Sequence, residues 1–310
     1  MKIIKNLWKE SSYIFALAAL VIFGAIASDA FFTSANIFNV LRQVSIVGII
    51  ALGMTFVIIS GGIDLSVGSV LAVSGVIILV SQNYGMPIPV SILFGCLTGT
   101  VIGLINGLVI ANAKLAPFIA TLATMTIARS MVIFLSDGSS IIGNASSSYT
   151  LIGSAKIGPI PIPVIIFTAL VILSYLLLNR TKFGRYVFAI GGNETTALYS
   201  GIHVAKIKTA TYALLGLLVS ISSIIETSRL ASISSSSSGM YYEMDAIAAV
   251  IIGGTSLSGG KGKIFGTVVG VIILGVIGNL MNLMNISPYL NGAVKGSIIL
   301  IAVLIQRRGN

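Results

Sequence analysis

Charge is what this chain has least of. Asp, Glu, Lys and Arg together make up 8% of its 310 residues, against 56% hydrophobic residues and a mean hydropathy of +1.06. An ordinary soluble domain carries about 25% charged residues because its surface faces water. A water-soluble globule is thereby excluded, and lipid is the expected solvent. Cysteine and histidine occur once each, as Cys96 and His203. That scarcity excludes an intrachain disulfide and any zinc or haem site made from those ligands. Acidic residues number 8 against 18 basic ones, a net charge of +10. In a soluble protein such a balance suggests nucleic acid. In a membrane protein it marks cytoplasmic loops, so no nucleic-acid partner is expected.

What the chain has instead is long uncharged apolar runs, among them residues 12–28, 48–60, 90–110 and 160–178. A bilayer core takes about 20 helical residues per crossing. The pattern therefore predicts an all-α, polytopic membrane protein of about ten spans. They fall near residues 12–28, 36–59, 65–83, 90–110, 116–136, 160–179, 207–228, 244–257, 264–283 and 289–305. The whole of 1–310 reads as a single transmembrane domain. The eighth span is short, which predicts a broken or partial helix there. Lys2, Lys5 and Lys9 precede an apolar stretch, as in a signal peptide. No small-residue cleavage site closes a short core, so a retained first helix is expected. With the N-terminus inside, 13 of the 18 Lys and Arg fall in inner segments, Arg307 and Arg308 among them. The other 5 are Arg42, Arg129, Lys156, Arg229 and Lys295. The positive-inside rule then places both termini in the cytoplasm.

Span four carries Gly95, Gly99, Gly103 and Gly107 on one helix face, and Gly262, Gly266 and Gly270 repeat the spacing later. Such a face lets another backbone approach closely. Static helix packing is favoured there over a sliding surface for a gate. Gly61 and Gly62 interrupt the apolar pattern, since each glycine weakens a helix by about 1 kcal/mol relative to Ala. Asp64 follows where a new helix begins, and both capping and substrate contact fit it. Glu226 and Arg229 are spaced to pair on one helix face. Arg129 lies inside span five, where a charge costs about 2.5–3.5 kcal/mol and needs protein, water or an acidic partner around it. Gly61, Gly62, Asp64, Arg129 and Glu226 are the candidates for a gate or pathway.

Two loops are long enough for a role. The outer one, 136–159, is rich in serine and glycine and leads into Pro159, Pro161 and Pro163, which stiffen the start of span six. The inner one, 179–208, holds five basic residues, Glu194 and His203, and offers a cytoplasmic partner the most surface. Leu257-Ser258-Gly259-Gly260 spells four letters of a transport-ATPase signature, but a nucleotide site needs a phosphate-cradling P-loop. Lys261 is followed by Gly262, and Thr255 stands where that loop needs glycine. With no such loop and no catalytic triad, neither an enzyme nor a resident cofactor or metal is expected.

Four stretches carry a resemblance. They are Gly61-Gly62-Ile63-Asp64-Leu65-Ser66-Val67-Gly68-Ser69; Thr181-Lys182-Phe183-Gly184-Arg185-Tyr186 with Ala189-Ile190-Gly191-Gly192-Asn193-Glu194; Ser200-Gly201-Ile202; and the run from Tyr242-Glu243-Met244-Asp245 through Gly253-Gly254-Thr255 to Lys261-Gly262. Together they resemble the permease subunits of bacterial ABC sugar importers. The resemblance implies a type II-like importer permease fold in the inner membrane, two permease copies forming a homodimer, cytoplasmic ABC ATPase subunits and a periplasmic sugar-binding protein. It also implies that residues 179–208 form the coupling loop, with Gly191, Gly192, Asn193, Glu194, Ser200 and Gly201 at the ATPase. Ribose is the implied sugar. Another monosaccharide or a furanosyl-like signal molecule is the alternative. Ser234–Ser238 with Met240 and Tyr241 depart from the Gly/Pro-containing approach usual in that family, at a segment expected to face the binding protein. An ion-coupled secondary transporter is the runner-up from another class, with Asp64 and Glu226 its only candidate carboxylates.

Overall fold

The structure is a computed structural model that describes residues 12–144, 147–287, 290, 292–298 and 300. Helices dominate it: α1 (Ser12–Ala27), α2 (Ser34–Ile59), α3 (Val67–Asn83), α4 (Ile88–Asn112), α5 (Pro117–Leu135), α6 (Ile162–Arg180), α7 (Lys182–Gly192), α8 (Glu194–Tyr199), α9 (Val204–Leu230), α10 (Tyr242–Ile252) and α11 (Ile264–Leu283). Residues 292–298 are helical as well. Among the described residues six helices, α2, α4, α5, α6, α9 and α11, are long and apolar enough to cross a membrane. The expected first and third spans form shorter apolar helices, and the eighth is the eleven-residue α10, a half-length helix as its sequence implied. About half of the tenth span, and all of the terminal basic residues, lie outside the described residues.

Proline sets several helix starts. Pro89, Pro117 and Pro163 occupy the first turns of α4, α5 and α6, where a missing N–H leaves no bond unmade. The second half of α2, residues 48–59, is apolar but for Thr55 and wholly buried at the centre of the bundle. The apolar faces of α4, α5 and α6 are mostly exposed, and that is the pattern of helices wrapped by lipid or by another protein rather than water.

The tightest helix pair is α4 against α9. The glycine ladder accounts for it: a Cβ on Gly99 would stand 2.6 Å from the Gly216 carbonyl oxygen, and one on Gly107 would stand 2.6 Å from Thr209 Cα. Gly95 faces Ile78 of α3 instead. Backbone-to-backbone contact of this kind replaces the hydrophobic drive that lipid removes.

Among the described residues, strands occur only as short pieces at the serine-rich end. β1 (Ser140–Ile142) pairs antiparallel with β4 (Ser232–Ser234) in the register Ile141↔Ile233, and β2 (Lys156–Ile157) pairs with β3 (Ile160–Pro161). The all-α expectation omitted these ties, which close the long loop onto the end of α9. Tyr149 adds to them. Its hydroxyl lies 2.6 Å from the Thr227 hydroxyl and donates to the Ile224 carbonyl at 3.2 Å, and burial pushes the phenol well above its ordinary range, keeping it a neutral donor.

Candidate functional site

Away from the serine-rich end, three chain segments converge on backbone atoms alone. α2 ends at Ile59, α7 ends at Gly191-Gly192, and the loop after α10 passes through Gly259-Gly260. The Gly260 N–H donates to the Ile59 carbonyl at 2.9 Å. A Cβ on Gly191 would overlap that same carbonyl oxygen and stand 2.6 Å from the Gly260 nitrogen. Gly259 and Gly260 hold φ of +81° and +70°, a region that glycine enters without the Cβ penalty. The Leu257–Gly260 letters therefore act through their backbone, as the third strand of this junction.

From the junction project α7 and α8. Helix α7 is amphipathic: Gly184, Val187 and Ile190 are buried on one face, and Arg185, Tyr186 and Ala189 are exposed on the other. Thr181 caps it, its hydroxyl accepting from the Gly184 N–H at 3.2 Å. Asn193 caps α8, its Oδ1 accepting from the Thr196 N–H at 2.8 Å. Glu194 forms an ion pair with Lys208 at the base of α9, with its own side chain 56% exposed. Ser200 closes α8 through its hydroxyl to the Thr196 carbonyl, and Gly201 turns the chain at φ +80°. The tip of α8 presents Leu198 and Tyr199, exposed by 58% and 86%. Nothing lies within 4 Å of a Cβ built on Gly192 or Gly201, so both open onto free space.

Of the gate candidates, Gly61 is exposed beside the junction, a Cβ on Gly259 standing 3.2 Å from its Cα, while Asp64 and Glu226 are buried. Asp64 is 2% exposed and accepts from the Ser66 N–H at 2.8 Å, the Ser66 hydroxyl at 2.6 Å and Asn106 Nδ2 at 3.2 Å. Asn106 of α4 accepts in turn from the Thr124 hydroxyl of α5. The carboxylate thus closes a two-residue turn ahead of α3, whose cap position is Ser66, and cross-links three helices. Gly61 takes φ +81° at the end of α2, and the Tyr212 hydroxyl donates to the Ile63 carbonyl at 3.1 Å. Arg129 reaches across from α5 to the carbonyls of Ser235 and Ser238, at 3.1 and 3.0 Å, so its partners are backbone oxygens of the serine-rich segment. Glu226 is 4% exposed, flanked by Ser238 and Tyr242, and its Oε2 makes no hydrogen bond. The expected contact pair with Arg229 does not form. Arg229, in the last turn of α9, is exposed and acts on Glu226 only at longer range.

Sequence reasoning missed the pair of Glu194 with Lys208, and it missed a second pair deeper in the fold. Asp245 of α10, 7% exposed, binds Lys295 at 2.7 Å across fifty residues of chain. An ionisable residue in an apolar helix is a signal in itself, but its partner lies too far along the chain for any spacing rule.

Comparison with known proteins agrees with this architecture. Residues 36–303 match the family described as branched-chain amino acid transport system, permease component. The ribose import permease protein RbsC of Bacillus subtilis (strain 168) is 47% identical over 293 residues, 94% of this chain and 91% of that protein. The ribose import permease protein of Haemophilus influenzae is 43% identical over 299 residues, 96% of this chain and 92% of its own length. The L-arabinose transport system permease protein AraH of Escherichia coli (strain K12) is 40% identical over 302 residues, 97% of this chain and 92% of that one. No solved structure matches. With six membrane-length helices, and a family match and full-length relatives that span nearly all of it, the chain belongs to this family of transport-system permeases and is a multi-pass membrane protein.

Proposed function

We propose that this chain is the transmembrane subunit of an ATP-driven importer that carries ribose into the cytoplasm. The carrying observation is the helical pair α7–α8. It projects an exposed Tyr199 and Leu198 from a junction where Gly191 packs, backbone to backbone, on α2 and on the loop between α10 and α11. Such a platform suits a partner that pushes. Residues 179–208 are the coupling loop, and Gly191, Gly192, Asn193, Glu194, Ser200 and Gly201 shape it. The junction end faces the cytoplasm, both termini lie on that side, and the chain crosses the membrane about ten times. A second copy completes the pathway, ABC ATPase subunits dock on α7–α8, and a periplasmic binding protein delivers the sugar to the serine-rich end. Nucleotide binding shifts the dimer between outward- and inward-open states, so the permease contributes a population shift rather than chemistry. Gly61, Gly62, Asp64, Arg129 and Glu226 join the moving parts around α3, α5 and α10. Likeness to the ribose permeases favours ribose, and the 40% identity to an L-arabinose permease keeps another monosaccharide as the second reading.

The experiment is co-purification of the chain with its ATPase and binding protein, followed by hydrolysis assays across sugars. Ribose is expected to stimulate ATP hydrolysis most. Equal stimulation by every sugar, or none, contradicts the assignment.

A further inference from the structure

A cleft of about 60 Å³ lies among α2, α10, α11 and the helical segment 292–298, with Gln43, Asp245, Asn282 and Lys295 as its polar lining. Three observations single it out. Asp245 binds Lys295 through Oδ2, and its Oδ1 is buried with no hydrogen-bond partner. Leaving a buried acceptor unmet costs about 1–3 kcal/mol. Gln43 and Asn282 are both exposed, although they sit on apolar membrane-length helices. Amides in that position do not face acyl chains, so this side of the molecule borders water or protein. The wall between them is apolar: Val44, Val47, Val271 and Leu274.

We propose that this cleft is a station on the sugar's route, where Asp245, Gln43 and Asn282 read the hydroxyl groups of a neutral monosaccharide. The proposal rests on the sugar-import reading above. Charge decides the ligand class. Asp245 and Lys295 already neutralise one another, so an added ion leaves an uncompensated charge in a poorly solvated place. A neutral polyol adds none, donates to the free carboxylate oxygen and exchanges hydrogen bonds with the two amides. Size decides the mode. A cavity of about 150 Å³ holds a benzene ring. This cleft is under half of that, so it takes an edge of the sugar, a few hydroxyl-sized groups, while the ring stays outside. Apolar walls opposite convergent polar groups are the usual make-up of small-molecule sites.

The test uses the complete importer in proteoliposomes with saturating, sugar-loaded binding protein. Uptake of ribose is compared with uptake of each monodeoxyribose in the wild type, Asp245→Asn, Gln43→Leu and the swap Asp245→Lys with Lys295→Asp. If the station exists, Asp245→Asn and Gln43→Leu each narrow the preference for ribose over one particular deoxy sugar by about tenfold, with ATP hydrolysis retained. An unchanged preference in both variants overturns it. So does full recovery of uptake in the charge swap, because the pair is then only a latch between α10 and the last helix. Should Asp245→Asn fail to assemble, Gln43→Leu and Asn282→Leu, at exposed positions, decide the matter. A wild-type complex that imports no sugar on ATP overturns the underlying reading, a result distinct from a wild type that imports while the preference stays unmoved.

Discussion

Gly191→Ala is expected to lower the protein's thermal midpoint by several degrees, while Gly192→Ala, one residue on, leaves it unchanged. The two glycines look alike in sequence and differ completely in surroundings. A methyl group on Gly191 overlaps the Ile59 carbonyl and crowds the Gly260 nitrogen, whereas one on Gly192 meets nothing within 4 Å. The crowding atoms at 191 are backbone, with no flexible end to swing aside. Relief requires α7 to back away from both, or Ile59 and Gly260 to part, which breaks the hydrogen bond between them. Overpacking costs about 1–3 kcal/mol, and an unmet buried backbone pair costs a similar amount. A combined loss of about 4 kcal/mol corresponds to a drop of about 6 °C in thermal midpoint for a chain of this size. Thermal unfolding in detergent checks it. Equal midpoints for the two variants contradict the junction.

Gly192→Arg and Tyr199→Ala are expected to strip the ATPase from an otherwise folded permease. Both positions lie on the free face of α7–α8, so neither change disturbs packing inside the chain. Exposed aromatics of this kind are typical anchors. Truncating one costs about 2 kcal/mol or more, roughly thirtyfold in affinity. Arg at 192 adds a bulky charge at the centre of the same face, and co-purification should fail outright. Glu194→Lys reverses an exposed ion pair with Lys208; since such pairs contribute about 0–1 kcal/mol, the fold survives and the loss is again one of docking. Normal ATPase recovery with all three variants contradicts docking at this surface.

Legibility in the sequence followed the range of the interaction. The glycine ladder of α4 was plain because its period lies within one helix, and every rung at Gly99, Gly103 and Gly107 meets α9 backbone. The half-length α10 was plain for the same reason: its apolar run is short. Asp64 was read as a candidate, but its partner Asn106, and Thr124 bonded to Asn106, sit on other helices, so only the fold shows a cross-link. Glu226 and Arg229 illustrate the reverse error. Correct spacing did not produce a contact, because one side chain is buried and the other lies at the exposed end of the helix. Leu257–Gly260 was set aside as a false nucleotide signature, which it is; its structural role uses backbone atoms that no side-chain pattern reports. Lys295 was one of five basic residues outside the inner segments, with no partner assigned, until the fold brought it to Asp245.

The central claim is that this chain is a gate moved by force applied at α7–α8. Sugar uptake into proteoliposomes containing the chain and its partners, measured with the proton gradient collapsed, tests it most directly. The account predicts that uptake rises and falls with ATP hydrolysis on the junction side and stops when the ATPase subunits are left out. Uptake that continues without them and follows an imposed ion gradient would contradict it.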